Sequence, residues 1–470
     1  MKSNRRNFLK LSGLGIGLAG TNLLEGYSAP ANQPGAIQKY FGKAEHFNMS
    51  GYAAPKLETV RIGIIGLGNR GPGAVQRMSK IEGVDIKALC DLRPEKANAA
   101  KKLLENTTHN PTVYTGNENE WKKVCERADI DLIYIATPWQ LHTPMAVYAM
   151  EHGKHAASEV PAAVTMEQCW QLVETSERTR KHCMILENAC YDFFELMTLN
   201  MARQGFFGEI VHAEGAYIHD LLEGNFSKDK YYDMWRLKEN FRNGNLYPTH
   251  GLGPIAQVMD INRGDRMDYL VSVSSNDFLM GATAKELAAK DPFYKPFENK
   301  SYRGNMNITT IRTVKGKTMM IQHDVTSPRP YSRIHLVSGT KGVAQKYPEP
   351  ARIAASHEGW LKEEEFKLLE EKYQPPIVKK VGEMAKQIGG HGGMDFLMDW
   401  RLIDCLRNGL PLDIDVYDAA AWSSISPLSE KSVANRSVSL DVPDFTSGSW
   451  KTNQPVDVFL LKGGNTKVKI

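Results

Sequence analysis

The chain has 470 residues, 58 basic against 54 acidic, for a formal charge of +4. A near-neutral balance over this length argues against a nucleic-acid partner, which needs a concentrated basic face, and no run of about 18 apolar residues marks a membrane span. Apolar residues are 42% and charged residues 24%, so a globular protein with a large core is expected, and at roughly 150 residues per domain the length suits about three. The six cysteines include no Cys-x-x-Cys pair; they are too sparse for a disulfide scaffold and read as buried thiols.

Residues 1–30 read as an address. Arg5-Arg6-Asn7-Phe8-Leu9-Lys10 precedes an apolar stretch from Leu11 to Ala19. That stretch is too short to span a bilayer but suits a signal-peptide core, and the paired arginines resemble a twin-arginine signal. Tyr27-Ser28-Ala29 is the candidate cleavage region. No cysteine follows the apolar stretch, so no stable membrane anchor is expected. The expected destination is periplasmic or extracellular. Residues 31–58 carry Pro, Gly and Asn without periodicity and read as an arm or linker.

A nucleotide-binding domain is expected over residues 59–186. The β-rich run Val60 to Ile65 enters Gly66-Leu67-Gly68-Asn69-Arg70-Gly71, and a helical pattern with Ala74, Val75 and Met78 follows. In this arrangement Gly66 permits the tight turn, Gly68 lets the backbone approach a pyrophosphate, and Gly71 lets helix and strand pack. The helix N-terminus then faces the phosphates with its positive end. A second strand, Val84 to Cys90, ends in Asp91, 20 residues after Gly71. An acid there accepts from a ribose 2′-hydroxyl and favours NAD over NADP, a preference that Arg93 softens. A further strand, Leu132 to Ala136, leads into Thr137-Pro138.

Residues 187–470 are expected to form an α+β domain with a C-terminal wrap. Leu270 to Ser274, Asn307 to Ile311 and Met319 to His323 alternate as antiparallel strands do, and Tyr217 closes a similar run. Residues 281–305 read as a long loop over one edge, and 360–372 as a charged surface helix. Gly389-Gly390-His391-Gly392-Gly393 reads as a linker or as a close approach to a pocket that brings His391 to a substrate. Met394 to Leu406 and Val416 to Ile425 read as packed helices, and the chain beyond residue 440 as a surface wrap.

Ala136-Thr137-Pro138 with His142, Gly153-Lys154-His155 and Glu159-Val160-Pro161 resemble the Gfo/Idh/MocA oxidoreductase superfamily over roughly residues 60–425. The resemblance implies a Rossmann half followed by an open, mainly antiparallel sheet, within the α/β class. It also implies association through that sheet, so a homo-oligomer is an expectation. Two departures matter. Family dehydrogenases carry a lysine where this chain has Val160, which transfers no proton. They also carry an acid four residues before the active-site histidine, where His250 is preceded by Leu246.

With those departures the chain resembles glycoside hydrolase family 109, the NAD-dependent α-N-acetylgalactosaminidases. The matching segments are Asn69-Arg70-Gly71, Trp139-Gln140-Leu141-His142, Glu159-Val160-Pro161, Glu187-Asn188-Ala189, Trp235-Arg236, Tyr247-Pro248-Thr249-His250 and Pro330-Tyr331-Ser332-Arg333. The resemblance implies an NAD site lined by Asn69, Arg70, Asp91, Trp139, Gln140, Leu141, His142, Glu159, Val160, Asn188 and Tyr247, beside Gly66, Gly68 and Gly71. It implies a sugar site lined by Tyr217, Arg236, Tyr247, Pro248, Thr249, His250 and Tyr331, with His250, Tyr217 and Tyr331 as catalytic candidates. No metal is expected.

Bound nicotinamide opens a route unlike that of paired carboxylates. Oxidation of the sugar at C3 acidifies the C2 proton, the group at C1 leaves by elimination, water adds back, and C3 is re-reduced. The cofactor is recycled each turnover and stays tightly bound, which suits export of a folded protein to meet a glycan. His250 is the natural proton carrier near neutral pH. Arg236 is a candidate to hold sugar hydroxyls or an acetamido carbonyl. The competing readings are a periplasmic sugar oxidoreductase, which Val160 disfavours, and a glycan-binding protein without catalysis.

Overall fold

The computed structural model describes residues 46–469; the signal expected over residues 1–30, and most of the arm, lie outside them. Strands β1 (Val60–Ile65), β2 (Val84–Cys90), β3 (Thr112–Tyr114), β4 (Leu132–Ile135), β5 (His155–Ser158) and β6 (Cys183–Ile185) form a parallel sheet in the order β3-β2-β1-β4-β5-β6. β1 and β4 are nearly continuous apolar runs because helices cover both faces of the sheet. Helices α1 (Gly71–Ser79), α2 (His142–Glu151) and α3 (Met166–Thr179) belong to that cover. The strand order reverses between β1 and β4, and a doubly wound sheet opens a crevice at the carboxyl ends of those strands. Gly66 ends β1 there, and Thr137 follows β4.

The second sheet holds β7 (Ile210–Ile218), β8 (Met267–Ser274), β9 (Asn307–Thr313), β10 (Thr318–Asp324), β11 (Leu336–Gly339), β12 (Val343–Gln345), β13 (Arg352–Ala354) and β14 (Leu440–Asp441). Its order is β13-β12-β11-β7-β10-β9-β8-β14. Only β7 and β10 pair in parallel; the other pairs are antiparallel. Burial alternates residue by residue along β9, so one face packs inward and the other stays open. Helix α4 (Thr249–Val258) lies against β7, and α5 (Met394–Asn408) and α6 (Val416–Ala434) complete the core. The Ser272 amide of β8 donates to Ser432 Oγ of α6 at 2.9 Å.

Several expectations change. Residues 281–305 are not a plain loop: Met280–Lys290 is a helix, followed by a 3₁₀ turn over Pro292–Phe297. Asp277 accepts from the amides of Leu279, Met280 and Gly281, and Met280, Ala284 and Ala288 form a buried stripe at i, i+4 spacing. The helix expected to end near Ile425 continues to Ala434. The charged helix runs over Glu363–Tyr373. The described part of the arm is tied down: the Met49 amide donates to Tyr417 Oη and the Leu57 amide to the Leu406 carbonyl, each at 3.0 Å. The C-terminal segment runs back to the first half, where Val468 bridges Ile81 and Trp400 Nε1 donates to the Thr466 carbonyl. All six cysteines are buried and unpaired. Among the described residues no helix is long and apolar enough to cross a membrane.

Candidate active site

A cleft of about 860 Å³ runs from the glycine turn to the face of the second sheet. Its first end fits a dinucleotide. Gly66 has φ +91°, and a Cβ there would sit 2.5 Å from the Ala136 carbonyl oxygen. A Cβ on Gly71 would sit 2.0 Å from the Gly66 carbonyl oxygen; Gly71 therefore acts by packing, behind the cleft wall rather than on it. Helix α1 starts without a side-chain cap, so amides of its first turn remain for phosphate oxygens. Asp91 accepts from the Leu67 amide (2.7 Å), the Arg93 amide (2.9 Å) and Arg93 Nε (3.2 Å). These bonds aim a buried carboxylate that keeps lone pairs for a ribose hydroxyl. Gly68, Asn69, Arg70, Asp91, Trp139, Gln140, Leu141, His142, Glu159, Val160 and Tyr247 all line the cleft, as expected.

The middle of the cleft is held by charge and by rings. Arg70 Nε lies 3.0 Å from Glu159 Oε1, and Arg70 also reaches Asp395 of α5 (3.2 Å). Glu159, opposed by desolvation and aided by Asp395, raises the Arg70 pKa further. His142 sets both ring nitrogens 2.7 Å from backbone carbonyls, those of Thr137 and Pro161, and so clamps the turn after β4 to the turn after β5. Trp139 stacks on Tyr247 at 5.3 Å and meets the edge of Trp235 at 5.4 Å.

At the second end, His250 Nδ1 donates to Glu187 Oε1 at 2.6 Å. A carboxylate only accepts, so Nδ1 carries the proton in this contact and Nε2 is the nitrogen left over. Glu187 follows β6, and His250 opens α4. Their meeting depends on two glycines. A Cβ on Gly215 of β7 would lie 2.2 Å from the Gly251 carbonyl oxygen. Without side chains there, α4 presses onto β7 and brings the His250 ring within 5.3 Å of Tyr217.

Tyr217 projects from β7 into the cleft, its ring 4.7 Å from Tyr247. Its hydroxyl lies 3.0 Å from His219 Nδ1. Burial pushes the Tyr217 phenol up to about 12, against the pull of Arg236, and burial raises Tyr247 further still. Both are neutral phenols at pH 7, so Tyr217 has a proton to give and is not a standing phenolate. Burial, with Arg236 next, lowers His219, which is therefore a neutral acceptor. The Arg236 guanidinium sits 5.4 Å from the Trp139 and Tyr231 rings and 5.5 Å from Tyr247. Its Nη1 donates to Tyr231 Oη at 3.5 Å, but among the described residues no carboxylate pairs with it, which leaves further donors for a ligand.

Four expected site residues lie elsewhere. Tyr331 lines a second, adjoining cavity, with its ring 6.4 Å from Tyr217. Asn188 is buried and donates to Asp395, which collects Arg70, Asn188 and His391. Pro248 and Thr249 are buried behind the wall and start the helix that delivers His250. Two roles went unassigned in sequence. Glu187, quoted only as part of a motif, supplies the acid missing at Leu246. His219 lies just past the end of β7, two residues from Tyr217, and carried no signal of its own in sequence. His391 does approach the cleft, 2.9 Å from Asp395 and 3.3 Å from Arg70. Among the described residues no group of His, Cys, Asp and Glu is arranged to hold a metal ion.

The family model for the C-terminal domain of glycosyl hydrolase 109 matches residues 191–452, and that for the oxidoreductase family with an NAD-binding Rossmann fold matches residues 60–187. A glycosyl hydrolase family 109 protein of Bacteroides fragilis is 48% identical over 94% of this chain and 97% of its own. A second relative from Bacteroides fragilis, named alpha-N-acetylgalactosaminidase, is 52% identical over 85% of this chain and 95% of its own. Among solved structures, levoglucosan dehydrogenase in complex with NADH superposes with TM-score 0.61 at 18% identity, covering 82% of this chain and 100% of its own. Scyllo-inositol dehydrogenase from Lactobacillus casei, with NAD(H) and scyllo-inositol, gives 0.57 at 15%, covering 82% and 99%; at such identities these two share the fold. The chain is an NAD-binding member of the Gfo/Idh/MocA fold and belongs to glycosyl hydrolase family 109.

Proposed function

We propose that the protein removes terminal α-linked N-acetylgalactosamine from glycans, using a tightly bound NAD that is recycled each turnover. The observation that carries this reading is the His250–Glu187 pair beside Tyr217 and an Arg236 with no carboxylate partner among the described residues, at the far end of a nucleotide cleft whose usual lysine position is Val160. The relative named alpha-N-acetylgalactosaminidase supports the choice of sugar.

Gly66, Gly68, the first turn of α1 and Asp91 would hold the dinucleotide, with Arg70, Glu159 and Trp139 further along the cleft. When bound, NAD supplies reversible two-electron oxidation of a sugar carbon. The chain's own groups handle protons and position. His250 Nε2 takes the proton of the sugar hydroxyl at C3, and Glu187 holds the ring and stabilises the imidazolium. Tyr217 and His219 form a two-member relay for the C2 proton: the phenol is oriented by the imidazole, which accepts its proton as the phenol oxygen takes one from carbon. Arg236 donates to the acetamido carbonyl or the neighbouring hydroxyls. Val160 keeps this part of the wall free of a competing proton carrier.

We further propose export by the twin-arginine route before substrate is met, and assembly as a homo-oligomer through the open sheet face, where Val273, Tyr269 and Ile308 are exposed.

Proton NMR of the purified protein with an aryl α-N-acetylgalactosaminide in D₂O, without added cofactor, tests the reading. Sugar release with deuterium at C2 is the expected result. Net consumption of added NAD without bond cleavage would replace it with the oxidoreductase reading.

A further inference from the structure

A second cavity, of about 540 Å³, adjoins the cleft and shares His391 with it. Its volume falls within the range of ligand sites, and nothing in the chemistry above uses it. Tyr331 stands at the junction. Its ring is 5.1 Å from His219 on the cleft side and 5.9 Å from Tyr347 on the other.

The lining is built. Arg333 is buried and donates to Asp192 and Glu195 at 2.7 Å each. Held there, its guanidinium lies 6.0 Å from the Tyr331 ring and 5.5 Å from the Tyr347 ring. The two tyrosines thus flank a fixed cation and have little freedom to collapse into the space. Phe366 adds a third aromatic wall, stacked on Phe194 at 6.2 Å. Gln374 also lines the cavity, and its side-chain oxygen is buried without a hydrogen-bond partner, an acceptor suited to a hydroxyl. Aromatic faces with isolated polar groups match the alternating apolar and hydroxyl faces of a sugar ring. The positive groups at the wall are already paired with Asp192 and Glu195, so an acidic ligand gains little there.

We propose that this cavity is the subsite for the leaving portion of the substrate: the neutral sugars beyond the scissile bond, stacked on Tyr331, Tyr347 and Phe366. The proposal rests on the glycosidase reading. The terminal sugar occupies the cleft at His250 and Arg236, and continuity past Tyr331 and His391 gives the rest of the glycan its path.

The test compares p-nitrophenyl α-N-acetylgalactosaminide with a neutral tetrasaccharide ending in α-linked N-acetylgalactosamine, on wild type and the Phe366→Ala and Tyr347→Ala variants. The expected result is a loss of at least tenfold in kcat/KM for the tetrasaccharide and less than threefold for the aryl glycoside. The trisaccharide product is also expected to inhibit wild-type aryl hydrolysis, and to do so more weakly in the variants. That measurement on wild type decides the matter if either variant fails to fold. Equal losses on both substrates, or no inhibition by the trisaccharide, would overturn the subsite while leaving the glycosidase intact. Absence of aryl glycoside cleavage by wild type would overturn the glycosidase reading, and the subsite with it.

Discussion

Glu187 Oε1 lies 2.6 Å from His250 Nδ1, although 63 residues separate them. The same oxygen accepts the Ala189 amide at 3.1 Å, so the carboxylate is fixed before the imidazole meets it. The acid that related dehydrogenases place on the chain just before their histidine is here delivered from the end of β6. Glu187→Gln keeps the shape and removes the charge. The variant is expected to fold and bind NAD, to lose roughly 10²-fold or more in kcat, and to keep its KM within a few-fold. Stopped-flow kinetics with cofactor titration checks this, and Glu187→Asp is expected to recover part of the loss. Unchanged kcat in Glu187→Gln would remove the positioning role.

Gly215 and Gly251 set the distance between β7 and α4. Gly215→Ala inserts a methyl where 2.2 Å is available, so helix and strand must separate. Overpacking of this kind costs roughly 1–3 kcal/mol. A lower melting temperature and a kcat loss with NAD affinity retained are expected, because the glycine turn lies in the other half. Calorimetry and cofactor titration on one preparation separate the two effects.

Arg236 is ringed by Trp139, Tyr231 and Tyr247 with no carboxylate partner among the described residues. Arg236→Leu is expected to raise KM for the aryl glycoside by roughly tenfold or more, the effect of losing a charge-assisted hydrogen bond of about 1.5–3 kcal/mol, while NAD binding stays within twofold. A KM unchanged in this variant would show that the guanidinium serves only to pack the rings.

Asp91 is the candidate to set the preference between cofactors. Asp91→Ala is expected to weaken NAD binding at least tenfold and NADP binding less, since Arg93 loses its carboxylate and becomes available to a 2′-phosphate. Fluorescence titration with both reduced cofactors measures the ratio directly.

Buried histidines set the acid limit of stability. Burial holds His182 down at about 4 and His335 at about 3. In the unfolded chain each takes a proton near 6.5. Their folded values are depressed, so the stability they contribute is fully present above pH 6.5 and declines as the pH falls towards 4 and 3. By linkage each forfeits roughly 3 kcal/mol by pH 4. Calorimetric scans from pH 7 to pH 4 are expected to show a steep fall in melting temperature, shallower in His182→Gln.

Much of this was legible in the chain. The strand, glycine turn and helix from Val60 to Ser79, with Asp91 after the next strand, are local patterns whose spacing is dictated by one βαβ unit. The cleft residues from Trp139 to His142 were named through the family resemblance rather than from spacing. Helix Met280–Lys290 was not legible, because its Asp277 cap and small-residue stripe are weak signals in a polar segment.

The sequence alone determined the dinucleotide half and the alternating strands of the second sheet, and its family resemblance named His250, Tyr217 and Arg236 as candidates. Tertiary structure decided their partners. Glu187 finds His250, and Asp395 gathers Arg70, Asn188 and His391, only because helices and sheets pack across long separations in the chain. It also placed Tyr331 in a neighbouring cavity and Asn188 behind the wall, since a side chain's direction depends on what its strand or loop packs against. Periodicity states which residues share a face; only packing states what that face meets.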